Sequence, residues 1–322
     1  MLEVLNGGMY TTIQDYPGRV GYWDVGIPPS GPMDSLAFRI ANRLVKNPEG
    51  EAGLEITCIG PELRFRTDAV IALTGARLNA KLDEAEVPWW KAILVKKGST
   101  LTLGGLEGEG FRSYLAVRGG FDVPAYLGSK ATFPFGGFGG YEGRPLKPGD
   151  TLRVAGSQDV NADLNKSDYQ FLEYIPRYTS QWEIGVLPGP HGVPDIFTAQ
   201  DEEMIFSAAW TVHYNSNRLG YRLEGPRPVF ARKDGGEGGQ HPSNMLDYTY
   251  AIGTVNFTGN TPVILTVDGP SLGGFVSFIT IPTAELWKVG QAKAQDTIRF
   301  KKMTREEALE LQLWQNQWIN RI

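Results

Sequence analysis

Apolar and polar residues alternate along most of this chain in short runs, and turn residues cut the runs at close intervals. Alternation of this kind predicts strands, because successive side chains of a strand point to opposite faces. In the first half the candidates are Glu3 to Leu5, Thr11 onward to a turn at Pro17-Gly18, Gly53 to Thr57, Leu63 to Arg66, Ala69 to Thr74, Thr100 to Leu103, Ser113 to Arg118 and Thr151 to Val154. One stretch follows a different period. Leu36, Ile40 and Leu44, with Ala37, Ala41 and Val45 beside them, recur at helical spacing; Asp34 or Ser35 is placed to cap this helix and Asn47-Pro48 to stop it. The second half reads as strands from Trp182, near Thr211, Leu223 and Val255, at Val263 to Val267 and at Thr297 to Phe300. A helix over Thr198 to Ser207 interrupts them, with Thr198 and Asp201 at capping-box spacing. Thr304 and Glu307 open a last helix, along which Leu311, Trp314 and Trp318 form a stripe. That stripe either docks on the chain's own core or offers apolar area to a partner.

The pattern fades over residues 155–180, which read as a linker. The expected domains are therefore residues 1–155, residues 181–302 and a C-terminal helix at 303–322. The two halves echo each other: Lys147-Pro-Gly-Asp-Thr-Leu-Arg-Val matches Lys293-Ala-Gln-Asp-Thr-Ile-Arg-Phe, and Ile59-Gly-Pro to Phe65 loosely matches Glu224-Gly-Pro to Phe230. This predicts a mainly β protein made of one β-domain in two copies, with few helices. Phe133 to Tyr141, rich in aromatic residues and glycine, is either a mobile lid or a plain surface loop.

Composition narrows the function classes. At 322 residues, with 41% apolar and 21% charged residues, the chain is long enough for about two domains and is not a disordered sequence. The net charge of -5 argues against nucleic-acid binding. No apolar run reaches the ~18 residues of a membrane span, and the N-terminus lacks the basic and apolar regions of a signal peptide. With Cys58 as the single cysteine, a reducing, cytoplasmic compartment is expected. Cys58 lies in the apolar setting Glu55-Ile-Thr-Cys-Ile-Gly, where packing suits it better than nucleophilic work. His191, His213 and His241 have no metal-ligand spacing, so no metal is expected. Gly235 to Gly239 lacks the Lys-Ser/Thr of a phosphate-binding loop, so no ATP site is expected in this chain.

The stretch richest in chemistry is Asp234-Gly-Gly-Glu237-Gly-Gly-Gln-His241-Pro-Ser243-Asn244. Two carboxylates, two amides, an imidazole and a hydroxyl sit among four glycines there. With Asn256, Asp268 and Ser271 it reads as one polar rim around a strand. Asp234 and Glu237 suit acceptance from the N–H groups of a small amide; the plainer alternative is solvated loop charge. His213-Tyr-Asn215-Ser-Asn217-Arg218 adds amides and a guanidinium fork matched to a carboxylate, or else a turn with a surface arginine.

Taken together, Thr11-Thr-Ile-Gln-Asp-Tyr-Pro-Gly-Arg19, Gly26-Ile-Pro-Pro-Ser-Gly-Pro-Met-Asp34, Arg39 to Val45, His213 to Gly220, Asp234 to Asn244 and Asp268 to Gly274 resemble subdomains A and B of biotin-dependent carboxyltransferases. The similarity runs from about Asn6 to Phe300 and is strongest to the urea carboxylase (urea amidolyase) branch. The wider family includes KipA-type proteins and the C component of 5-oxoprolinase. The resemblance implies two cyclophilin-like β-barrels and transfer of CO2 from carboxybiotin, carried by a partner, to urea or a urea-like amide, giving allophanate. It implies catalytic roles for Asp234, Glu237 and Asn244. Asn215, Asn217, Arg218, His241, Ser243, Asn256, Asp268 and Ser271 would bind substrate, and Ser30, Gly31 and Asp34 would line the path of biotin. No Met-Lys pair of a biotin-carrier site occurs. The expected partners are therefore a biotin carboxylase, a biotin carrier and a KipI-like second carboxyltransferase half, the last docked on the Trp314/Trp318 stripe. The alternatives are the C component of an ATP-dependent 5-oxoprolinase and a KipA-type regulator that binds a KipI-like chain.

Overall fold

Strands make up 35% of the described residues and helices 16%, so the mainly β character that the alternation predicts is present. The computed structural model describes residues 1–155 and 175–322; of the expected linker, residues 156–174 lie outside the described residues. The chain divides into two units. The first comprises Met1–Val20, Pro29–Tyr178 and Asn316–Ile322, the second Gly21–Pro28 and Thr179–Gln315.

The first unit contains β1 (Leu2–Asn6), β2 (Tyr10–Gln14), α1 (Ser35–Leu44), β3 (Gly53–Thr57), β4 (Glu62–Phe65), β5 (Ala69–Gly75), β6 (Leu78–Leu82), β7 (Ala85–Glu86), β8 (Ala92–Val95), β9 (Thr100–Leu106), β10 (Arg112–Val117) and β11 (Thr151–Leu152). They form two sheets, in the orders β11-β1-β4-β9-β6-β7 and β2-β3-β10-β5-β8. Leu2, Val4, Leu63 and Phe65 from one sheet and Leu54, Ile56, Leu115 and Val117 from the other meet in a single core. Asp34 is the N-cap of α1, accepting from Ala37 N at 2.9 Å. At the other end of the chain, Asn316 Oδ1 accepts from Arg39 Nη2 at 2.9 Å.

The second unit contains β12 (Gln181–Pro188), α2 (Ala199–Ser207), β13 (Trp210–Val212), β14 (Gly220–Glu224), β15 (Asn244–Thr249), β16 (Thr254–Thr258), β17 (Thr261–Leu265), β18 (Leu272–Thr280), α3 (Leu286–Gln291), β19 (Thr297–Lys302) and α4 (Arg305–Ile319) as far as Gln315. Its sheet runs β12-β19-β13-β14-β17-β16-β18-β15, and β18 also pairs with β12. Seven strands thus close into a barrel, with β15 attached outside the ring. The segment Gly21–Pro28 belongs here, and its Trp23 Nε1 donates to Tyr250 O at 2.9 Å. Thr198 and Asp201 form the expected capping box on α2. The Asp201 carboxylate also accepts from Val229 N and Phe230 N, at 2.7 and 3.1 Å. Burial raises its pKa, but these hydrogen bonds and those from Thr198 outweigh that and leave it lowered. On α4, Thr304 N donates to Glu307 and Glu307 N to Thr304 Oγ1, closing the second predicted box. The tryptophan stripe divides: Trp318 is 8% exposed and Trp314 45%, with Leu309 and Leu313 exposed beside it.

The echo between the halves is a turn. Asp150 accepts from Lys147 N at 2.8 Å and its own N–H donates to Lys147 O; Asp296 does the same with Lys293, at 3.0 Å. The strands that follow differ. β11 runs antiparallel to β1, whereas β19 runs parallel to β12. The looser match also diverges, since residues 62–65 form β4 while 226–230 form no strand. Cys58, expected in the core, is partly exposed and holds φ at 64° just after β3.

Candidate functional site

In the second unit the polar stretch is a self-bound loop leading into β15. Asp234 Oδ1 accepts from Gly236 N at 3.1 Å, an Asx turn. Asn244 Nδ2 donates to Gly239 O at 2.9 Å, which closes the loop. A Cβ at Gly235 would lie 2.0 Å from Gly239 O, and one at Gly238 would lie 2.7 Å from the Met245 backbone. These glycines admit the loop's own backbone rather than a ligand. Asp234 and Glu237 are left exposed.

Arg232, just before the loop, clamps it. Its Nε donates to Pro242 O at 2.7 Å and its Nη2 to Asn244 O. Behind the loop, Ser243 is fully buried, accepts at Oγ from Gly259 N at 3.0 Å and lies 2.9 Å from His241 Nδ1. The Ser243 N–H also donates to His241 Nδ1, so the neutral ring carries its proton on Nε2. Ser243 is thus a buried fastening, out of reach as a nucleophile.

A second polar group sits on β18. Ser277 N donates to His191 Nδ1 at 2.9 Å, and Ser277 Oγ donates to Asn256 Oδ1 at 2.8 Å. The His191 ring lies edge-on to Tyr248 of β15, with centroids 4.5 Å apart. Burial lowers the His191 pKa, and the Arg232 charge lowers it further. His191 therefore favours the neutral form, and the Ser277 N–H at Nδ1 places its proton on Nε2.

The 213–220 and 265–271 segments are joined by Arg218 and Asp268. Nε and Nη2 of Arg218 donate to the two oxygens of Asp268 at 2.8 and 3.2 Å, and both side chains are buried. The fork expected to meet a substrate carboxylate is committed to an internal one. Asn215 and Asn217 are exposed, and Asn217 Oδ1 accepts from Leu219 N at 2.8 Å. Ser271 is buried, and its carbonyl accepts from Tyr250 N.

The other predicted residues belong to the first unit. Gly31 N donates to Gln14 Oε1 at 3.0 Å, and Asp34, fully buried, accepts from Tyr178 at 3.2 Å besides capping α1. Tyr114 Oη accepts from Asp34 N and donates to Glu55, which also accepts from Met33 N. Burial, before anything else, raises the Tyr114 pKa well above the usual phenol value. Gly31 and Asp34 are thus parts of a folding network. Ser30 differs: its hydroxyl is buried with no partner and its φ is 57°.

Arg232, His191 and Tyr248 were not among the predicted site residues. The available signal was Arg232-Lys233 directly ahead of the acidic loop; nothing in the order of residues ties His191 to Tyr248. Among the described residues, no cluster of His, Cys, Asp and Glu could hold a metal ion. Nor is any helix there long and apolar enough to cross a membrane.

The family model described as carboxyltransferase domain, subdomain A and B, matches residues 25–302. The chain is 50% identical over 317 residues to urea amidolyase of Saccharomyces cerevisiae, covering 96% of this chain but 17% of that protein. The crystal structure of Kluyveromyces lactis urea carboxylase superposes with a TM-score of 0.94 at 47% identity, covering all of this chain and 29% of that one. The C component of 5-oxoprolinase from Escherichia coli is 34% identical over 323 residues, covering all of this chain and 97% of that protein.

Proposed function

The chain belongs to the carboxyltransferase subdomain A and B family, and from that premise we propose that it is the carboxyltransferase component of a urea carboxylase-like system. It would carry a carboxyl group from carrier-borne biotin to a nitrogen of urea or a urea-like amide, giving allophanate. Biotin supplies the activated carboxyl group when bound. Ser30 would line its path, and its buried, unpartnered hydroxyl would have to be uncovered before it could meet the ureido oxygen. Asp234 and Glu237, both exposed on the loop, would accept from the N–H groups of the amide and fix its orientation. Arg218, Asp268, Ser243 and Asn244 would act at one remove, by fixing the segments that carry those groups. The observation that carries urea is the 50% identity to urea amidolyase, against 34% to the 5-oxoprolinase component. The latter stays as a second reading because the match covers 97% of that protein.

Activity would need a biotin carboxylase, a biotin carrier and a KipI-like chain. The exposed Leu309, Leu313 and Trp314 on α4 suit docking of that chain. A truncation after Lys302 that still co-purifies with it would remove α4 from the interface. The assay combines this chain with those partners, ATP and bicarbonate, and compares urea with 5-oxoproline. Urea-dependent allophanate formation is expected, lowered by about 100-fold in Asp234→Asn. Turnover of 5-oxoproline alone would replace the reading with the second one.

A further inference from the structure

We propose that Arg232, His191 and Tyr248 form a binding site for a small planar carboxylate on the second unit. Under the reading above, that carboxylate is the group in transfer. Two of the guanidinium nitrogens of Arg232 donate to the carbonyls of Pro242 and Asn244. Carbonyls fix its plane but leave its charge uncancelled, and no carboxylate of the described residues lies within ion-pair distance. The third nitrogen, Nη1, has no hydrogen-bond partner among the described residues, and it is not buried. It lies 3.5 Å from where a Cβ on Gly236 would sit, so the glycine at φ 53° leaves it uncovered.

Two neutral donors accompany this cation. The Ser277 N–H occupies His191 Nδ1, which turns the Nε2–H outward as a donor without a partner among the described residues. The Tyr248 hydroxyl likewise has no partner there, and its ring packs on His191. Arg232 holds the carbonyl of Asn244 at the start of β15, Tyr248 lies further along the same strand, and its ring packs on His191, so β15 gathers the cation and both donors. An orientable guanidinium edge with two neutral donors suits a planar oxyanion with two oxygens. Arg218 offers no such edge on the same unit, because Asp268 already takes its fork.

The test measures binding of oxamate, a planar amide carboxylate, to the full chain by calorimetry, with melting temperature recorded for each variant. Arg232→Met is expected to weaken oxamate roughly tenfold or more and Tyr248→Phe about threefold. Tyr248→Phe keeps every observed contact of the ring, so it remains informative if Arg232→Met fails to fold. Equal affinity in wild type and Tyr248→Phe, together with equal affinity in a folded Arg232→Met, overturns the proposal. Absence of wild-type binding at millimolar oxamate also overturns it. The transfer assay separates the two readings. Urea carboxylation that survives Arg232→Met removes this site and leaves the function. Arg232-dependent oxamate binding without any carboxylation does the reverse.

Discussion

Arg218 and Arg232 sit on the same barrel, each fixing a polar segment, yet they present opposite electrostatics. Arg218 is buried and forked onto Asp268, so the pair is nearly neutral to anything outside it. Arg232 is clamped by carbonyls, which orient the guanidinium without neutralising it. A carboxylate partner turns an arginine into structure, whereas carbonyl partners leave a positioned positive charge. Which of the two an arginine becomes depends on what the fold places beside it, and residue type alone does not say.

The contrast is breakable by mutation, with the largest effect at the buried pair. Arg218→Met strands the Asp268 carboxylate, and a loss of about 3–5 kcal/mol in unfolding free energy is expected by chemical denaturation. The double variant Arg218→Met with Asp268→Leu should recover most of that loss, because no buried charge remains. A double variant as unstable as the single one would show that the pair does more than neutralise itself. Arg232→Met should cost less, about 1–3 kcal/mol, since the released carbonyls regain water. Asp234→Asn, on an exposed turn, should stay within about 0.5 kcal/mol of wild type while transfer falls.

The smallest effect is in pH. His191 is lowered first by burial and then by the Arg232 charge. Its folded pKa lies below the unfolded value of about 6.5, so the unfolded chain binds more protons just below that pH. Stability should therefore be complete above about pH 6.5 and fall as the pH drops through the folded pKa. Removing the charge in Arg232→Met leaves burial, the larger cause, opposed only by the Ser277 hydrogen bond, so the slope should shrink. A slope unchanged in that variant would separate Arg232 from His191.

The sequence showed the fold better than the site. The strands at Gly53–Thr57 and Ala69–Gly75, the helix after Asp34 and both capping boxes are local features, and local spacing predicts them. β18 was hidden because Leu272-Gly-Gly reads as loop; a Cβ at Gly273 would lie 2.8 Å from the Tyr250 ring, so the glycine makes room inside a strand. The site depends on partners far apart in sequence. Asp268 takes Arg218 from 50 residues away, and Ser277 turns His191 from 86 away. Such pairings are set by barrel closure, which leaves no trace in neighbouring residues. The glycines of the 234–244 loop misled in another way, since a glycine that admits a ligand and one that admits its own chain look alike in sequence.

The ring of seven strands has each member held along both sides, while β15 is held only by β18. The hoop and its attached flap should therefore breathe at different rates. Amides of β15 could trade deuterium while those of β16 and β17 stay locked, because lifting the flap breaks one ladder and leaves the circle whole. The loop that carries Asp234 and Glu237 thus hangs from the one strand that can be released without opening the barrel.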